Sequence, residues 1–215
     1  MTDASTRNPR TDVLDRLLKP RSVAVLGASD DPARIGGRPV AYMLEAGFSG
    51  ALYPVNPKRE TVQGLPAHPS VADIPGTVDF AIVALPAEHV LAALEACAGK
   101  GAKAAVVFSA GFAEAGPEGA ARQAAIAALA RRTGMRVLGP NCLGLFNAEN
   151  GLLASFTTTL DRGPPVPGHV ALVSQSGAYG SHLYYLCRRK GIGVSSVFTT
   201  GDECDVGVAE LLRAL

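Results

Sequence analysis

"VDFAIVALPAEHVLAALEACAGKGAKAAVVFSAGF", Val78 to Phe112, decides the fold. Its first part, VDFAIVALP (Val78–Pro86), is a short apolar run from Phe80 onward, the signature of a strand buried on both faces. AEHVLAALEACAGKG then sets Val90, Leu91, Leu94 and Cys97 at helical spacing, with Gly99 and Gly101 closing the helix. AKAAVVFSAGF returns to a buried strand. Strand, long helix and strand again make a crossover between parallel neighbours.

The same rhythm extends both ways. Upstream, SVAVLGAS (Ser22–Ser29) is a strand ending at a glycine turn. RPVAYMLEAG puts Val40, Met43 and Leu44 on one helical face and stops at Gly47, and GALYPVN is a second strand. Downstream, PEGAARQAAIAALARRTG starts with proline and ends with glycine, as helices do, and RVLGPNC is a fifth strand. Five apolar strands separated by helices predict a Rossmann-like doubly wound parallel sheet covered on both faces.

After Cys142 the texture changes. LGLFNAENGLLASFTTTLDRGPPVPG is rich in turn residues and reads as an irregular connector with room for a short hairpin. HVALVSQSGAYGSHLYYLCRRKG then restarts strand, turn and helix, GVSSVFTTG adds a strand, and VAELLRAL begins another amphipathic helix. The expected division is a disordered tail over 1–12, with a short helix from Val13 to Leu18 opening an α/β domain over 13–145. A connector over 146–168 follows, then the truncated start of a second α/β domain over 169–215. No internal repeat or low-complexity segment interrupts it.

Composition closes off several function classes. The 215 residues are 47% apolar with a formal net charge of +1. Bulk electrostatic binding to nucleic acid or a membrane surface has no basis there. No run of ~18 apolar residues is present, and the polar start MTDASTRNPRTD lacks the apolar stretch of a secretory signal. Cys97, Cys142, Cys187 and Cys204 form no CxxC pair and no zinc spacing, which suits reduced thiols in a cytoplasmic protein. His68, His89 and His169 show no metal spacing either.

The first strand-to-helix loop, GASDDPARIGG, runs from Gly27 to Gly37. It lacks the GxGxxG of dinucleotide binding, yet glycines at both ends can let phosphate approach helix N–H groups. The plain alternative is a simple turn. After the second strand, YPVNPKRE carries Asn56, Pro57, Lys58 and Arg59 where a dinucleotide domain carries an acid for a bare ribose. A cation there suits a phosphorylated ribose, as in NADP or coenzyme A; two solvated surface charges are the alternative. NADP needs the missing glycine fingerprint, so coenzyme A fits better.

Taken in order, GAS…P…GG, YPVNP, VALPAE, FSAGFAE, GPNCLGLFN, VSQSGAYG and TTGDECDV resemble the CoA-binding half of the NDP-forming acyl-CoA synthetases, relatives of the succinyl-CoA synthetase α subunit. The resemblance covers Pro20 to Leu215 and makes the second domain flavodoxin-like. It implies that Gly27, Ser29 and Gly36 line the nucleotide end, and that Asn56, Pro57 and Lys58 meet the ribose phosphate. Leu85 and Pro86 would flank the adenine or pantetheine, and Ser109, Ala110 and Gly111 would follow the pantetheine arm. Asn141 and Cys142 would lie near the sulfur and acyl carbonyl, with Asn141 as a hydrogen-bond donor. Cys142 is not assigned as a nucleophile, because CoA brings the thiol.

VSQSGAYG has two chemical readings. A nucleophile elbow at Ser176 needs an acid and then a histidine downstream, but only His182 follows, on the same helix. The other reading is an anion site made by Ser174, Ser176 and the N–H groups around Gly177, which the resemblance assigns to a phosphoryl group; an ordinary serine cap is the bland option. Acids in TTGDECD (Thr199–Asp205) suit either Mg²⁺ or a solvated loop. Phe112, Leu145, Phe146 and Leu153 could line an acyl pocket or belong to the core.

The family reaction joins an acid to CoA at the expense of an NTP, through an acyl phosphate and a phosphohistidine. The histidine and the nucleotide-grasp domain would lie outside this chain, so ATP or ADP and Mg²⁺ would require those segments or a partner subunit. A homo-oligomer is compatible with this. The alternatives are a CoA-sensing module fused to a protein acetyltransferase, and an NADP-dependent oxidoreductase.

Overall fold

The computed structural model describes residues 9–215. Helix α1 (Pro9–Leu18) comes first and buries Val13 and Leu17. It begins ahead of the expected Val13, because proline suits a first helical turn whose N–H groups have no partner anyway. The expected tail over 1–12 is thus helical from Pro9 onward, and its residues 1–8 lie outside the described residues.

The chain continues through β1 (Ser22–Leu26), α2 (Arg38–Glu45) and β2 (Ala51–Val55). A small hairpin of β3 (Thr61–Val62) and β4 (Leu65–Pro66) follows. Next come β5 (Phe80–Val83), α3 (Ala87–Gly99), β6 (Ala104–Val107), α4 (Pro117–Thr133) and β7 (Arg136–Leu138). Five of these strands form one parallel sheet in the order β2-β1-β5-β6-β7. The order of strand addition reverses between β1 and β5, the place where open α/β sheets leave a crevice for ligands.

Alternation along the strands splits the core in two. Val23, Val25, Phe80, Ile82 and Val106 face α1, α2 and the second sheet. Ala24, Leu26, Ala81, Val83 and Val107 face Leu94, Cys97, Ile126 and Leu129 of α3 and α4. Both faces are dry, which is why these strands read as continuous apolar runs. On α2, Val40 and Met43 are buried as expected, but Leu44 is 45% exposed and Tyr42 is buried in its place. Tyr42 turns inward because its hydroxyl reaches the Thr157 carbonyl at 3.1 Å and also bonds Asp161.

The second part holds β8 (Gly144–Asn147), β9 (Leu152–Ser155), β10 (Pro167–Ser174), α5 (Gly177–Arg189), β11 (Val194–Thr199) and α6 (Val208–Ala214). Its sheet order is β10-β11-β8-β9, parallel between β10 and β11 and antiparallel elsewhere. The stretch expected as an irregular connector thus supplies a hairpin that completes this sheet. Its strands are four residues long, too short for a periodicity signal, and its turn is built by Asn147 and Asn150. Their side-chain oxygens accept from Glu149 and Leu152 N–H at 3.0 Å, while their amides donate to the Leu18 carbonyl at 3.1 and 2.7 Å. Phe112, Leu145, Phe146 and Leu153 are all buried core residues, so the acyl-pocket option for them falls away.

The two parts share one core, in which Tyr184, Val197 and Phe198 join Val25 and Phe80. A second seam runs along the free side of β7. Val206 bridges Leu138, and Arg136 holds Asp205 at 3.0 Å and Glu210 at 2.7 Å.

Candidate functional site at the carboxyl edge of the sheet

The loop after β1 is compressed at both ends. Gly27 has φ +79°, and a Cβ there would lie 2.3 Å from the Ala84 carbonyl oxygen. A Cβ on Gly36 would lie 2.0 Å from the Gly27 carbonyl oxygen. Only glycine allows these two backbone approaches. Asn56 fixes the loop from the side, donating to the Ala28 carbonyl at 2.8 Å while its oxygen accepts the Lys58 N–H at 2.8 Å.

These contacts open two adjoining clefts. One, of about 550 Å³, is lined by Gly27, Ser29, Arg34, Gly36, Asn56 and Ala84. The other, of about 310 Å³, is lined by Ser29, Asp30, Asp31, Arg34, Asn56, Lys58 and Arg59. Together they are large enough for part of a nucleotide. Lys58 and Arg59 are exposed at the mouth. Both acids have partners: Asp30 accepts the Gln63 N–H at 2.8 Å, and Asp31 accepts the Ala33 N–H at 2.9 Å and lies 3.7 Å from Arg34 Nε.

From this cleft the strand ends form a connected ridge. Leu85 lies against Gly27, the Ser109 hydroxyl donates to the Leu85 carbonyl, and Asn141 N–H donates to the Ser109 carbonyl at 2.9 Å. Asn141 has φ +56° and reaches across to Asp202. Next to Asp202, Gly201 N–H donates to the Gln175 carbonyl at 3.1 Å, and Gln175 returns a bond to the Gly201 carbonyl at 2.7 Å. The ridge therefore runs from Gly27 to the amino end of α5. Gly111 packs beside Ala87 on the same edge. Pro57, Pro86 and Ala110 are exposed there without lining either cleft.

At α5, Ser176 acts as an N-cap, accepting from Tyr179 N–H at 3.3 Å, and Ser174 donates to the Ser176 carbonyl at 2.8 Å. The Ser176 hydroxyl keeps its own proton to donate. His182 lies on α5 itself, as the sequence implied, so no triad forms. In the loop before α6 each acid has a structural task. Glu203 accepts from the Thr200 hydroxyl at 2.7 Å and from Val208 N–H at 3.2 Å, and Asp205 takes Val137 N–H at 2.8 Å.

Two carboxyl groups meet on the ridge. Burial works against the Glu114 carboxylate, but the Gly111 and Phe112 N–H groups outweigh it and hold its pKa below the ordinary value. Asp202 is shifted the other way, by burial and by the neighbouring Glu114. Asp202 Oδ2 is the one buried side-chain polar atom without a partner among the described residues. A proton on Asp202 would let it donate towards Glu114, the direction in which its shift points. Burial also pushes the Cys142 and Cys204 thiols up to about 12, far from a reactive thiolate.

Gln63, Arg34 and Glu114 belong to this edge and were not singled out from the sequence, and Asp202 was in view there only as one of the acids of TTGDECD. Arg34 sits inside the glycine-flanked loop already in view. Gln63 is brought there by a hairpin and Asp202 by the second sheet, which leave no local pattern, whereas Glu114 sits in the loop after β6.

A doubly wound α/β domain with a cationic cleft at its switch point defines a nucleotide-binding class. Residues 21–148 match the family model described as a CoA binding domain, and residues 167–215 match the succinyl-CoA ligase like flavodoxin domain. The chain belongs to the CoA binding domain family. It is 39% identical over 203 residues to the alpha subunit of ADP-forming acetate–CoA ligase II of Pyrococcus furiosus, covering 94% of this chain and 43% of the relative. It is 35% identical to the ADP-forming 4-hydroxybutyrate–CoA ligase of Nitrosopumilus maritimus, covering 93% of this chain and 28% of that protein. The dinucleotide-forming acetyl-coenzyme A synthetase 1 of Ca. Korarchaeum cryptofilum, solved with phosphate and ADP, superposes with a TM-score of 0.85 at 38% identity. That match covers 94% of this chain and 42% of the solved one. The chain thus spans less than half the length of each of these relatives.

Proposed function

We propose that this chain is the CoA-binding portion of an NDP-forming acyl-CoA synthetase, and that Gly27, Ser29, Gly36, Asn56, Pro57 and Lys58 hold the nucleotide end of CoA. Leu85, Pro86, Ser109, Ala110 and Gly111 follow the pantetheine arm, and Asn141 and Cys142 stand at its sulfur end. Ser174, Ser176 and Gly177 take a phosphate at the amino end of α5. The full reaction, acid, CoA and NTP to acyl-CoA, NDP and phosphate, needs a phosphohistidine, a nucleotide-grasp domain and Mg²⁺ supplied by other segments or a partner subunit. The CoA cleft belongs to the parallel sheet and its helices, and the phosphate site to the second sheet, which the β8–β9 hairpin completes.

The observation that carries this reading is the pairing of the cleft with the ridge. Arg34, Lys58 and Arg59 give the cleft a cationic mouth. The ridge leads from it, over small side chains, to a helix terminus able to hold an anion. A long thiol cofactor with a phosphorylated ribose at one end fits that shape. Calorimetric titration of the 215-residue chain with CoA and with adenosine 3′,5′-bisphosphate tests it. Competitive binding of both is expected; no binding of either contradicts the assignment.

A further inference from the structure

The β3–β4 hairpin is too small to hold itself together, yet its turn residue is placed with care. Gln63 has φ +51°, in the left-handed region that glycine or asparagine occupies more readily. Three bonds hold it there. Both N–H groups of its carboxamide are used, one on the Ser29 carbonyl and one on the Gly37 carbonyl, each at 2.9 Å. Its backbone N–H donates to Asp30 Oδ1 at 2.8 Å. The neighbouring Val62 is fully buried and anchors the hairpin.

We infer that Gln63 is a positioning residue for the nucleotide cleft; this rests on the CoA reading above. Ser29 lies near the start and Gly37 at the close of the loop that forms one wall of the cleft. One side chain clamps both ends, so it fixes the loop's width. The backbone bond adds an electrostatic effect. Asp30 lines the same cleft as Lys58 and Arg59. Tethered to Gln63, it is held from pairing with those cations, which stay free for a ligand phosphate. Released, Asp30 would compete with that phosphate.

Gln63→Gly separates positioning from folding, because glycine relieves the backbone while deleting the clamp. The 215-residue chain is compared with Gln63→Gly and Gln63→Glu by thermal melting, amide hydrogen exchange and CoA titration. Gln63→Gly should melt within a few degrees of the parent. Exchange over 29–37 should accelerate at least about fivefold in both variants, whether or not CoA is present. CoA should bind at least about fivefold more weakly to both, with Gln63→Glu the weaker because its carboxylate faces two carbonyl oxygens. Unchanged exchange over 29–37 overturns the clamp, as does CoA binding equal to the parent. If the parent itself fails to bind CoA, the functional reading fails, and the exchange result alone decides the clamp.

Discussion

Asn141, which follows β7, donates from Nδ2 to Oδ1 of Asp202 at 3.3 Å, joining the first sheet's edge to the loop that ends the second sheet's last strand. The bond lies between the proposed thiol end of CoA and the proposed phosphate site. Any movement of one part against the other must strain it. Glu114 completes the group from the loop after β6.

Asp202 gives a pH prediction. A raised acid keeps its proton in the folded state where the unfolded chain has lost it. Its contribution is therefore full at low pH and declines as pH rises from the ordinary carboxylate range towards the raised folded value. Glu114, lowered, contributes above its ordinary range, and that contribution is lost as pH falls through its folded value. Asp202→Asn can donate to Glu114 without a proton. It should melt higher than the parent at pH 7–8, by up to about 1 kcal/mol after solvent screening, and the gap should close towards pH 4. Melting curves across that range check it; a variant less stable at every pH contradicts it.

Gly36→Ala should damage the cleft more than the fold. Its Cβ would meet the Gly27 carbonyl oxygen at 2.0 Å, so backbone must move on one wall of the site. A loss of about 1–3 kcal/mol in stability is expected, with CoA affinity reduced beyond tenfold. Calorimetry beside thermal melting separates the two effects; retained affinity would place the ligand elsewhere.

Arg136 secures α6 and the 202–206 segment to β7. Its side chain is 22% exposed and contacts Asp205 and Glu210 together. Arg136→Leu leaves two acids facing a lost cation and should cost about 1–3 kcal/mol, less than a fully buried pair because water reaches the site. Limited proteolysis should then release a fragment ending near α6 before the parallel sheet is cut. Uniform cleavage would show that the clasp is not local.

The parallel sheet was legible because its strands are buried on both faces and interrupted by glycine-closed helices. Phe80 to Val83 needs no partner sequence to be recognised. The Asn56 and Gly36 positions followed from strand ends and loop glycines, which are local features. The sequence left room for a short hairpin after Cys142, but four-residue strands beside an asparagine turn carry too little periodicity to place β8 and β9 or to assign them to the second sheet. Tyr42 was missed for the opposite reason: helical spacing favoured Leu44, and a distant partner, Thr157, decided the burial. Gln63 acts through residues far away in sequence, and so do the Asn141 and Glu114 contacts of Asp202, so no spacing rule could find these pairings.

The central claim is that the cation after β2 meets a ribose phosphate. Parallel calorimetric titrations of the chain with CoA, dephospho-CoA and NADPH test it most directly. The account predicts that CoA binds and that removing its 3′-phosphate weakens binding by about 1–3 kcal/mol, the loss of a charge-assisted contact. Lys58→Ala should erase most of that difference. Equal binding of CoA and dephospho-CoA, or binding of NADPH alone, would contradict it.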